Sequence, residues 1–165
     1  MALKIYHWEI FIKINFILLK VQGNKISSEA VLIYDNQREP SPRPHFLNDW
    51  LKNSHGNVSA IVDNNEMCHG FGRIRPCVLE DNRQGRRIGP LLADTPPLAE
   101  LLIRKLVGEL DSQILLDCSN LNPYANYLLS SLGFEEISKT YRMYKGIKPT
   151  CPMNQVYGLA CLELG

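Results

Sequence analysis

A mixed α/β layer fold, with a mostly antiparallel sheet and helices on both faces, follows from three observations. The clearest periodic signal in the 165-residue chain is Ala99, Leu102, Ile103, Leu106, Val107 and Leu110. Their spacing is one face of an α-helix, and Leu98 and Leu101 widen it. Strands flank this helix: Arg87–Ala93 before it, and the short apolar run Ile114-Leu115-Leu116 after it, which reads as a strand covered on both faces. Strand–helix–strand across 87–117 requires a parallel crossover. Upstream, Val58, Ala60 and Val62 alternate with Ser59 and Ile61, Asp63-Asn64-Asn65-Glu66 is a hairpin connection, and a returning strand covers about Met67–Arg75. Pro90 cannot donate to a sheet ladder, so it predicts a bulge or a place where the central parallel pair splays.

The remaining elements follow from local signals. Ser27-Ser28-Glu29 ahead of Ala30, Val31, Ile33 and Tyr34 reads as a short capped helix. Residues 38–44 are a proline-punctuated loop. His45–Lys52 returns to helical spacing through Phe46, Leu47, Trp50 and Leu51. Gly70 and Gly72 allow close backbone approach, and 76–84 reads as a loop. Asn122-Pro123 opens a second helix carrying Ala125, Leu128, Leu129 and Leu132, with Pro123 at the first helical position and Gly133 as its stop. Phe134–Tyr144 and Val156–Leu164 read as two final strands. Residues 1–25, rich in Ile, Lys, Phe and Asn, differ from 26–165. The alternation of Ile10, Ile12, Ile14 and Phe16 favours a first strand. A signal peptide lacks a small-residue cleavage site, and a gene-model artefact ahead of Gly23 is a third reading.

Composition narrows the function classes. A net charge of +1 gives no global reason to expect nucleic acid or a membrane surface. No apolar run reaches transmembrane length. Five scattered cysteines without a C-x-x-C pair or a matching histidine pair read as free thiols of a reducing, cytoplasmic compartment, with no metal site. No G-x-S-x-G, P-loop or H-E-x-x-H is present.

The order of elements, and the run Asn122-Pro123-Tyr124-Ala125 through Leu132-Gly133-Phe134, resemble the GNAT superfamily of acetyl-CoA-dependent N-acetyltransferases, whose second acyl-CoA motif is commonly N-P-x-A followed by L-G-F. The resemblance is closer to the GNAT-like domain found C-terminal to an ordinary acetyltransferase domain in tandem proteins. It rests on Tyr34-Asp35-Asn36-Gln37, Pro42-Arg43-Pro44 with Phe46-Leu47, Gly72-Arg73-Ile74-Arg75-Pro76-Cys77, Arg87-Ile88-Gly89-Pro90-Leu91-Leu92-Ala93-Asp94, Arg142-Met143-Tyr144 and Leu162-Glu163-Leu164-Gly165.

The resemblance implies acetyl transfer to a small amine. It also implies acetyl-CoA contacts at Leu91, Leu92, Ala93, Asp94, Thr95, Asn122 and Ala125, and an N-terminal acetyltransferase domain as a partner. The family places the CoA pyrophosphate on a Q/R-x-x-G-x-G/A loop ahead of a helix N-terminus. Here the matching segment, 92–97, has no glycine and carries Pro96 and Pro97, which lack N–H groups. Asp94 or Thr95 is placed to cap the helix, and an ionised Asp94 repels phosphate. The family's acid tyrosine falls on Leu129, and Tyr127 points about 200° away, to core or rim. Asp117, ending a buried strand, is a candidate base for an amine or a turn cap. Among Arg73, Arg75, Arg83, Arg86 and Arg87, the pair Arg75 and Arg87 is the candidate clamp for an anionic ligand. Two readings follow: an N-acetyltransferase, or a degenerate domain kept as a ligand-binding or regulatory module.

Overall fold

The computed structural model describes residues 13–14, 17–23, 27–39, 41–80, 82–147 and 150–162. Most of the expected strand at Ile10–Phe16, and the end of the last one at 163–165, lie outside them. A two-stranded ribbon, β1 (Lys13–Ile14) and β2 (Ile17–Leu18), precedes β3 (Lys20–Gln22). The main sheet runs β3, β4 (Asn57–Val62), β5 (Cys68–Val78), β6 (Gln84–Ala93), β7 (Ile114–Leu116), and β8 (Val156–Gly158) also pairs with β6. Neighbours are antiparallel except β6 and β7, which pair in parallel through Arg86↔Ile114, Arg87↔Leu115 and Ile88↔Leu116.

Helices α1 (Ser28–Asn36) and α2 (Pro44–Lys52) cover one face. Helices α3 (Pro96–Val107) and α4 (Pro123–Ser131) cover the other. Strand alternation divides the core between them: Leu91 and Ile61 pack with α3, while Leu92 and Ala60 pack with α1 and α2. Gly70 and Gly72 make this close packing possible. A Cβ on Gly72 would lie 2.8 Å from Leu91 Cδ1 and 2.9 Å from Leu106 Cδ1. The register shift between Gly72 and Ile74 opposite Gly89-Pro90 is the bulge that Pro90 predicts. The caps also form as the sequence indicates. Ser27 Oγ accepts the Ala30 N–H at 3.5 Å, and Asn122 Oδ1 accepts the Ala125 N–H at 3.1 Å. Gly133, at φ +83°, follows the last turn of α4.

Three expectations are corrected. The 76–84 loop is shorter, because β5 continues through Pro76, paired with Arg86. β4 stops pairing at Ile74, so one edge of β5 is free there and a missing N–H is tolerated. β7 is half-buried rather than covered on both faces. Residues 134–144 are not a strand. They have no regular secondary structure and are mostly exposed, with Ile137 at 73% and Tyr141 at 89%. A strand-like composition does not make a strand without a ladder partner.

Candidate functional site

The chemistry-bearing residues gather where β6 runs into α3 and β7 leads toward α4. Beyond Ile88, β7 no longer follows β6. β5 holds one edge of Leu91 and Leu92, so β8 lies along the other, the edge that β7 has left, with Leu91↔Gly158 and Leu92↔Val156. Gly158 fits because a Cβ there would sit 3.1 Å from Leu91 Cβ and 3.5 Å from Leu116 Cγ. At Gly89 an added Cβ would run into Leu159 O. The Leu159 N–H donates to Asp117 O at 2.8 Å, which ties the segment to the chain leaving β7. Asn122 is fully buried. Its Oδ1 caps α4, and its Nδ2 donates to Val156 O at 2.9 Å. Ala125 is buried beneath it. Of the residues to which the resemblance gives acetyl-CoA contacts, Leu91, Leu92 and Asn122 are engaged by residues 156–158.

At the start of α3, Thr95 is the N-cap residue. Its side chain makes no cap bond, and its buried Oγ1 has no hydrogen-bond partner among the described residues. Asp94 does not cap the helix; it turns toward α1. Its Oδ1 accepts from Tyr34 Oη at 2.7 Å and Arg38 Nη2 at 2.7 Å, and its Oδ2 lies 2.9 Å from His69 Nδ1. Arg38 therefore meets the charge expected to repel a phosphate. His69 Nε2 lies 3.5 Å from Asp63 Oδ2, so the imidazole bridges two carboxylates. Burial, then the Asp94 charge, pushes the Tyr34 hydroxyl well above its ordinary range. Burial likewise pushes the Cys68 thiol up to about 12, so both stay protonated near neutrality. Burial raises Asp63 too, but N–H groups of Met67 and Asn65 together with His69 outweigh it and hold the carboxyl below the usual range. Sequence reasoning missed this cluster. Its one local signal is the i, i+4 spacing of Tyr34 and Arg38, whose guanidinium lies 3.4 Å from the Tyr34 ring centroid.

On the α1/α2 face, Arg75 stands directly opposite Arg87 in the ladder. Arg87 Nη1 pairs with Asp117 Oδ2 at 2.8 Å, so the candidate base and one candidate clamp residue engage each other. Arg75 stacks instead on Trp50, at 5.1 Å, and Arg73 does the same at 4.9 Å. Leu129 is core, whereas Tyr127 is 81% exposed on the rim. Among the described residues no group of three metal-binding side chains gathers.

This fold is that of an acetyltransferase family. Residues 31–158 match the family model described as an acetyltransferase (GNAT) domain, so the chain belongs to the GNAT family. It is 27% identical over 139 residues to the holothin acyltransferase of Pseudoalteromonas sp. (strain SANK 73390). That match takes in 83% of this chain and 45% of the relative, so the chain spans about half the relative's length. Two solved structures share the fold at low identity. The aminoglycoside 6'-N-acetyltransferase AAC(6')-Iy, in complex with CoA, has a TM-score of 0.62 at 15% identity, covering 79% of this chain and 97% of that one. The Acinetobacter baumannii enzyme AAC(6')-Ih has a TM-score of 0.59 at 11% identity, covering 79% and 99%.

Proposed function

We propose that this chain is a ligand-binding or regulatory module of a cytoplasmic, acetyl-CoA-dependent N-acetyltransferase acting on a small amine, with the transfer carried out by an N-terminal acetyltransferase domain. One observation carries the reading. The β6 edge at Leu91 and Leu92, and the Asn122 side chain, are taken by β8, so the groups that would receive acetyl-CoA are already paired within the chain. The 45% coverage of an acyltransferase relative leaves room for a second domain, and five free cysteines suit a reducing compartment. Calorimetric titration tests it. Acetyl-CoA at millimolar concentration should give neither binding heat nor thermal stabilisation, because a ligand of the folded state must raise apparent stability. Micromolar affinity would overturn the reading.

A second reading, transfer within this chain, has two observations in its favour. Thr95 leaves the N-terminus of α3 without a side-chain cap, and Arg38 neutralises Asp94 beside it. Acetyl-CoA would then contact residues 91–95, Asn122 and Ala125, and Asp117 would accept the amine proton. This requires residues 156–159 to leave the β6 edge and Arg87 to release Asp117.

A further inference from the structure

Arg73 and Arg75 stand two residues apart on β5 and share its α1/α2 face. Arg73 is one of the largest fully buried side chains, at 2% exposure. Trp50 of α2 lies against both guanidiniums. The bend at 53–56 closes over the inner one: Arg73 Nη2 donates to Asn53 O at 3.3 Å, and a Cβ on Gly56 would come within 3.1 Å of the same nitrogen.

Among the described residues, the charges at this end of β5 do not balance. Arg87, across the ladder from Arg75, is the third guanidinium, and the one carboxylate beside it, Asp117, is bound to Arg87. Among the described residues neither Arg73 nor Arg75 makes an ion pair. Asp49, one residue before Trp50, is exposed and pairs with neither. The Nε atoms of both arginines are buried without a hydrogen-bond partner. Burial and the charge of Arg75 both pull the Arg73 guanidinium downward. Burying a cation without its counter-charge is strongly unfavourable, and stacking on an indole offsets only part of that. Two adjacent guanidinium forks are, by contrast, well suited to an oxoanion, which each can grip with parallel N–H donors.

We propose that Arg73 and Arg75, held against Trp50, form a binding site for the carboxylate or phosphate group of a small molecule. This deepens the module reading above and rests on it for its purpose. Its test uses no acyl-CoA, so failure here leaves the acetyl-CoA titration untouched.

The test is thermal unfolding of the full chain in chloride buffer at fixed ionic strength, with inorganic phosphate or succinate added. Saturating anion should raise the midpoint by about 5 °C; a larger shift with phosphate or with succinate tells which group the site takes. Arg75→Gln, at a half-buried position, should abolish the shift. Arg73→Met should abolish it too, while melting in chloride no lower than the wild type, because an uncompensated buried charge is gone. No shift with either anion would overturn the proposal, and so would a shift that survives Arg75→Gln.

Discussion

Asp94 shows how far a side chain's role depends on residues remote in sequence. Its position between a strand and a helix suggests a cap, yet its carboxylate closes a network with Tyr34, Arg38 and His69. Replacing it leaves Arg38, whose side chain is 10% exposed, without its anion. Breaking a fully buried pair costs about 3–5 kcal/mol; with Asp94 28% exposed, Asp94→Ala should lose about 2 kcal/mol in urea unfolding. Asp63 gives a prediction with a definite sign. Its folded-state carboxyl titrates below the usual range, so the stability it contributes is present above the unfolded value, near 3.9, and is lost as pH falls through the folded one. The wild type should therefore lose an increment of stability below about pH 4. Asp63→Asn, which can still accept the Asn65 and Met67 N–H groups, should lack that increment when unfolding is followed from pH 7 to pH 3.

At the scale of elements, each helix was legible where a local device defined it. Pro123 after Asn122, Gly133 beyond the last turn and the apolar stripe of α3 are all short-range features. Strands were legible from local patterns, but which strand each would pair with was legible only in the β4–β5 hairpin and the β6–β7 crossover. Residues 134–144 read as a strand, but no ladder receives them. The packing of α3 on the sheet rests on small residues beneath it. Gly72→Ala places a methyl group against the side-chain ends of Leu91 and Leu106 at once, so these side chains or α3 must give way. Overpacking of this kind should destabilise by about 1–3 kcal/mol, read from the denaturant midpoint, with the slope unchanged.

For the whole molecule, the α/β layering and the family were readable in the sequence, whereas the organisation of the candidate site was not. Asn122 was recognised from its motif. That its amide would hold Val156, and that β8 would lie against Leu91 and Leu92, depends on a pairing that no local pattern of Val156-Tyr157-Gly158 encodes. The three arginines were likewise visible as a basic cluster, but Asp117 divides them by choosing Arg87, and only the fold shows that choice.

The β6–β8 pairing joins residues farther apart in sequence than any other ladder of the sheet. Loop closure makes such contacts late to form, and only three residues of β8 hold them. β8 should therefore open as a unit of its own, ahead of global unfolding. In native-state hydrogen exchange, the amides of 156–159 should exchange through a sub-global opening that depends little on denaturant. Those of β5 and α3 should exchange only with the whole domain. Equal protection across all three would mean that the last strand is as firmly built in as the first.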